Sequence, residues 1–316
     1  MNDDIVVTDR LSKTYGRRPA VADVSLTVRR GEVYGFLGPN GAGKTTTLRM
    51  LMGLVRPTGG TARILGGGPG DPAVLRRVGS LIEGPGFYPY LSGRDNLRVL
   101  ARYNRIDDRE VEEALAQVEL RERGADRFKS YSLGMKQRLG VAAAMLGDPD
   151  LLILDEPTNG LDPAGMADMR ALLRRVVERG QTVLLSSHLL GEVQQTCDRV
   201  GVISGGHLLV ESTVADLRGE SAVLVRAEPV AEAARTAGRL YGESAVSVDD
   251  DGALRVRMST AHSAELTTAL VHAGVAVREV RPVERTLEEV FFDLTDSNPN
   301  KPDDAPDGAT LPAEVA

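Results

Sequence analysis

The stretch GPNGAGKTT, Gly38 to Thr46, spaces Gly38, Gly43, Lys44 and Thr45 as a phosphate cradle needs them. Glycines let backbone N–H groups turn toward phosphate oxygens, Lys44 supplies a point charge, and Thr45 offers a hydroxyl to magnesium. Pro39, Asn40, Gly41, Ala42 and Thr46 complete the loop and would line the same phosphates. A plain glycine turn would share the composition but not this position between an apolar run and a helical pattern. Further on, LLILDEP, Leu151 to Pro157, ends an apolar run in two acids. Asp155 is placed as the metal partner. Glu156, pointing the other way, is placed to orient or deprotonate a water within hydrogen-bond reach. Paired acids after a strand also serve as helix N-caps, but behind a phosphate loop the chemical reading is preferred. His188 follows TVLLSS, where an imidazole could contact a terminal phosphate. A lone histidine there is commonly structural; its order after the acid pair favours catalysis.

These residues need elements to hold them. VYGFL, Val33 to Leu37, reads as a buried strand feeding the loop, and TTTLRMLMGL as the helix leaving it and ending at Gly53. LLILD, TVLLSS and RVGVIS read as buried strands separated by helices, the pattern of a parallel sheet covered on both faces. Gly205 and Gly206 turn the chain into HLLVE. Alternation at Val24, Leu26 and Val28 predicts a half-buried antiparallel strand, with TARIL after PTGG as its neighbour. Ser92 and Asp95 form a capping box opening a helix, VEEALAQVEL gives another, and a helical insertion is expected over about 91–146.

The boundary of this first unit, 1–218, falls near Arg218. Beyond it, 219–296 reads β-α-β-β-α-β, a small α+β unit of ferredoxin-like order. A last helix starts at Thr286 with Glu289 as box partner, and its apolar stripe in EEVFFDL is expected to pack on a neighbour. The tail 297–316 is acidic and rich in Pro, Asp and Gly, with too few large apolar residues to offset ordering, and is expected to be disordered.

In its 316 residues the chain is 42% hydrophobic and 26% charged, with no apolar run long enough to span a bilayer. A net charge of −7 argues against a nucleic-acid partner. Cys197 is the single cysteine, so no internal disulfide forms; it is expected to be a packed thiol without a role. The start MNDDIVV lacks the marks of a signal peptide, which places the chain in the cytoplasm. Tyr15, in KTYG, offers a face for an adenine ring. In GLDP, Asp162 is an N-cap with Pro163 at the first helical position.

Read in order, KTYG, GPNGAGKTT, YSLGMKQR, LLILDEP, GLDP and SSH resemble the nucleotide-binding subunit of an ABC transporter over about residues 5–218. The resemblance implies an α/β fold, a P-loop NTPase cassette with a mixed sheet core, an antiparallel β subdomain and a helical insertion. It implies ATP and Mg2+ as cofactors, ATP hydrolysis, and a separately encoded transmembrane permease that holds the chain at the inner face of the membrane. Two cassettes, a homodimer or a pair with a second cassette, would bury each ATP between one Gly38–Thr46 loop and the partner chain's signature segment. Here that segment keeps Ser132, Gly134, Gln137 and Arg138 of the family's LSGGQxQR, while Leu133 and Met135 depart from it. Lys44, Glu156 and His188 are the implied catalytic residues; Tyr15, Ser132, Gly134 and Asp162 are implied nucleotide contacts. Thr45 and Asp155 are implied metal ligands, joined by Glu83, which stands where the family usually has glutamine.

Glu83 with GPGFYPYLSGRDNL and YSLGMKQR looks like the subgroup of bacitracin, lantibiotic and other antimicrobial exporters. RPVERTLEEVFFDLT resembles the accessory segment of drug and polyketide exporters. The rival reading is a soluble ABC-type ATPase of translation, DNA repair or chromosome structure. It is disfavoured because a second cassette, long coiled coils, zinc modules and a basic groove are not visible in the sequence.

Overall fold

The computed structural model describes residues 3–84, 86–218, 222–249, 251–283 and 286–296. Its centre is a six-stranded sheet in the order His207–Thr213, Arg199–Ser204, Val33–Leu37, Thr182–Ser187, Leu151–Asp155, Val78–Leu81. Neighbours are parallel except the first pair, a hairpin turned by Gly205 and Gly206. Val33–Leu37, Leu151–Asp155 and Thr182–Ser187 are buried along their whole length, which is why VYGFL, LLIL and VLL show no alternation of apolar and polar residues. Register does the positioning. Leu37 stands opposite Ser187 and Asp155 opposite Ser186, so the phosphate loop and the acid pair emerge at the same edge of the sheet.

Helix Leu190–Thr196 lies flush on the loop strand because Gly35 has no side chain. A Cβ there would sit 2.8 Å from Val193 Cγ1 and 2.9 Å from Cys197 Sγ. Cys197 is buried, and burial pushes its thiol well above the usual range, as suits a packing group without chemistry.

The antiparallel sheet differs from the expected pairing. Val24, Leu26 and Val28 are all buried, but the chain divides there into Arg18–Val24 and Thr27–Arg29, both laid on the long strand Asp4–Tyr15. Asp23 takes φ 52° and donates its N–H to Ser12 Oγ, which breaks the ladder before a single strand can form. Gly59–Ile64 also pairs with Asp4–Tyr15 instead of with the segment around Val28.

Helices Gly93–Asn104, Asp108–Gln117 and Leu133–Met145 form the insertion, with Leu97, Leu115 and Leu139 in the core shared with the sheet. Ser92 Oγ accepts the Asp95 N–H at 3.0 Å, and its own hydroxyl donates to the Asp95 carboxylate at 2.6 Å. Further along, the elements Ala222–Glu228, Val230–Tyr241, Val246–Val248, Leu254–Arg257, Ser263–His272 and Ala276–Val283 run β-α-β-β-α-β. Their antiparallel sheet places the first strand between the third and the fourth, over a separate core that includes Val223, Val225, Leu254 and Leu266.

The last helix, Leu287–Asp296, opens on a reciprocal box: Glu289 N–H donates to Thr286 Oγ1 at 3.3 Å, and Thr286 N–H to Glu289 Oε2 at 3.1 Å. Its Leu287 joins the core of the first unit. The tail 297–316 lies outside the described residues. Among those residues no helix is long and apolar enough to cross a membrane.

Candidate functional site

The loop is built by close backbone approach. A Cβ on Gly38 would fall 2.2 Å from the Ile203 carbonyl oxygen and one on Gly43 2.5 Å from that of Ala20; Gly41 and Gly43 also take φ 79° and 109°. Helix Lys44–Leu51 begins at once, with its N-terminal amides facing the loop. The Lys44 side chain is 6% exposed. Its ammonium donates to the carbonyls of Gly38 at 2.7 Å and Pro39 at 3.2 Å, and pairs with Glu156 Oε1 at 3.2 Å.

Thr45 Oγ1 donates to Asp155 Oδ2 at 2.8 Å, and the other oxygen of Asp155 accepts the Ser186 hydroxyl at 2.5 Å. Thr45 and Asp155 thus present two hard oxygen donors beside a phosphate-binding helix terminus. That set fits magnesium, which keeps several waters and phosphate oxygens and takes few protein ligands. Glu156 follows with φ 50°, which swings its carboxylate away from the metal side. Its Oε2 lies 2.8 Å from His188 Nδ1, and its N–H donates to Ser186 Oγ at 3.0 Å.

The remaining expected residues are more dispersed. Ser132 is exposed and caps helix Leu133–Met145, its Oγ accepting the Met135 N–H at 3.3 Å. Leu133 is 56% exposed beside it, and Gly134 faces Leu161, whose Cδ2 a Cβ would meet at 3.4 Å. Asp162 caps helix Pro163–Glu178 through the Gly165 N–H at 3.1 Å. Tyr15 is half exposed, with the Lys13 ammonium 5.0 Å from its ring centre. Glu83, at φ 67°, pairs with Arg49 of the loop helix, which holds its carboxyl below the usual range.

Comparison with known proteins puts this geometry in context. The family described as ABC transporter matches residues 21–159. A bacitracin transport ATP-binding protein of Bacillus licheniformis is 39% identical over 92% of this chain and 97% of its own. A daunorubicin resistance ATP-binding protein of Streptomyces coeruleorubidus is 35% identical over 93% of this chain and 97% of its own. The chain belongs to the ABC transporter ATP-binding proteins. A solved ATP-binding subunit of an ABC transporter superposes with a TM-score of 0.62 at 30% identity, covering 68% of this chain and 92% of the other. The fold is therefore that of the P-loop ABC cassette, and the protein is an ATP-binding subunit with ATPase activity that works with a membrane permease.

Three members of the cassette's site were not anticipated. Ser186 joins both acids, through Asp155 Oδ1 and the Glu156 N–H. Gln137 was expected only as part of the signature; its side-chain amide donates to the Glu156 carbonyl at 3.2 Å, tying the insertion to the turn after Asp155. Arg49 is the partner of Glu83. The one signal for Ser186 was a hydroxyl in a strand read as buried, where a polar group needs a partner, and it was shared with Thr182 and Ser187. Neither Gln137 nor Arg49 carried a local signal for its contact.

Proposed function

We propose that this subunit drives export of a drug or antimicrobial peptide through a separately encoded permease, working as a cassette dimer on the inner face of the cell membrane. One observation carries the chemistry: Lys44, Thr45, Asp155, Glu156 and His188 converge at one edge of the sheet, in front of a loop that can hold a triphosphate. Resemblance to bacitracin and daunorubicin proteins along nearly their whole length supports the choice of cargo. No nucleic-acid partner is needed for this reading.

In the scheme, phosphate oxygens displace the Glu156 carboxylate from Lys44, which frees that carboxylate as a base. Glu156 takes a proton from the attacking water, and His188 holds the carboxylate and contacts the terminal phosphate. Thr45 and Asp155 would hold Mg2+, which supplies charge neutralisation to the phosphates when bound. Tyr15 would stack on adenine, exchanging part of its contact with Lys13. Ser132, exposed, and Gly134, part-buried, neither directed at their own loop by any bond above, would face the γ-phosphate on the partner chain, with Asp162 nearby.

Glu83 meets Arg49 through Oε1, so adding a metal ligand there sets the cation against that ion pair. Glu83→Gln should therefore shift the Mg2+ dependence of hydrolysis; superimposable titrations would remove Glu83 from the metal site. The transport reading is tested by expressing the chain with its permease in a sensitive host. Resistance or efflux lost in Lys44→Ala is expected, and wild-type protein that changes neither uptake nor resistance for any tested peptide or drug would overturn it.

A further inference from the structure

Helix Leu190–Thr196 starts two residues after His188, so whatever fixes that helix fixes the imidazole. Seven residues are too few for a stable helix on their own, and its surroundings must set its place. Three surfaces do so. Val193 and Cys197 fill the hollow over Gly35 of the loop strand. Arg170 Nη1 reaches both oxygens of Glu192, at 2.9 and 2.8 Å, from helix Pro163–Glu178. The third surface belongs to the far end of the chain. After building a separate α/β unit, the polypeptide contacts this helix through Leu287–Asp296.

That contact is built of particular residues. Leu287 is 2% exposed within the cassette core, and Phe291 packs partly buried against the same cluster. The Leu287 N–H donates to Gln194 Oε1 at 3.1 Å, and Glu288 lies beside Gly191, where an added Cβ would meet its carboxylate at 3.4 Å. The apolar face of the last helix thus closes the side of the His188 helix that the cassette leaves open.

We infer that Leu287 and Phe291 are positioning residues for His188, so that ATP turnover depends on the C-terminal helix being seated on helix Leu190–Thr196. The inference rests on the ATPase reading above and adds a residue set to it. Loosening this contact lets the short helix shift, and a displacement on the order of 1 Å at a reacting group costs on the order of a hundredfold in rate. Nucleotide binding rests chiefly on the loop, helix Lys44–Leu51 and Tyr15, with His188 adding one contact to the terminal phosphate, and changes little.

The test measures steady-state phosphate release by the full chain, together with equilibrium binding of a fluorescent ATP analogue. Phe291→Ala and Leu287→Ala should lower kcat by about ten- to a hundredfold, leave analogue affinity within about twofold, and show recovery in Phe291→Leu. In a His188→Ala background the same replacements should lower kcat no further. Unchanged kcat in the single variants, or an equal further loss in the His188→Ala background, would overturn the inference. If the core replacements yield no folded protein, Gln194→Leu, which removes only the bond to the Leu287 N–H, is put through the same comparison, with the same outcomes deciding. A wild type that releases no phosphate counts against the ATPase reading itself; an active wild type with unaffected variants counts against this inference alone.

Discussion

Two buried charge clusters in this molecule look alike at first sight and behave differently. One is Lys44 with Glu156 and His188. The other is Arg199, 8% exposed, set between Glu32 at 3.1 Å and Glu211 at 3.3 Å. In the second cluster every charge is saturated by fixed groups. Arg199 also donates to the Thr27 carbonyl, Glu32 accepts the Arg29 N–H, and Glu211 accepts the Thr27 N–H and the Tyr34 hydroxyl. These bonds tie the loop strand to the antiparallel sheet and to the hairpin beyond it. In the first cluster the partners are exchangeable: Lys44 leans on two loop carbonyls and one carboxylate at the mouth of the phosphate loop, and Glu156 in turn meets His188. Burial with pairing does not by itself mark a reactive site; the mark is a charge whose partner can be replaced by a ligand.

The largest effect expected from breaking this contrast is on rate. Glu156→Gln should cut phosphate release by about 10²- to 10⁴-fold while ATP binding persists and traps a dimer, read by single-turnover kinetics and size-exclusion with ATP. Normal turnover in that variant would remove Glu156 as the base. Next comes stability. Arg199→Met strands the buried Glu32 carboxylate and unpairs the part-exposed Glu211, and should cost about 3 kcal/mol in denaturant unfolding, with ATP affinity of the folded fraction unchanged. A loss of affinity without a loss of stability would reverse the roles assigned to the two clusters.

The smallest effect concerns pH. Burial, the largest influence on Glu32, raises its carboxyl above the ordinary value despite Arg199. A group whose folded pKa is raised contributes stability below its unfolded pKa, and that contribution is lost as pH rises through the folded value. Melting curves should thus show a decline from the ordinary carboxylate range toward neutrality that is shallower in Glu32→Gln than in wild type. Parallel curves would mean that Arg199 fully offsets burial.

What could be read in advance follows the range of the interactions. Gly38 to Thr46, the acids after Leu154 and the capping boxes at Ser92 and Thr286 are contiguous signals, and the structure carries each of them. The buried strands were legible because central parallel strands must be apolar throughout. Pairing in the antiparallel sheet was not, since the choice of Asp4–Tyr15 as common neighbour depends on a break at Asp23 that alternation conceals. The same limit hid Ser186 behind Asp155, 31 residues away, Arg49 behind Glu83, 34 residues away, and Gln194 behind Leu287, 93 residues away. In each the partner of a polar group is chosen by strand register or by the packing of distant elements, which no local pattern records.

The backbone at Glu156 has a last consequence. A side chain held at φ 50° costs roughly 1–2 kcal/mol that glycine would not incur. Glycine at 156 would relax the backbone but leave the buried Lys44 ammonium without its carboxylate, so the strain is held in place by the ion pair it makes possible. A conformation that looks costly in isolation is thus kept by the charge that it brings within reach.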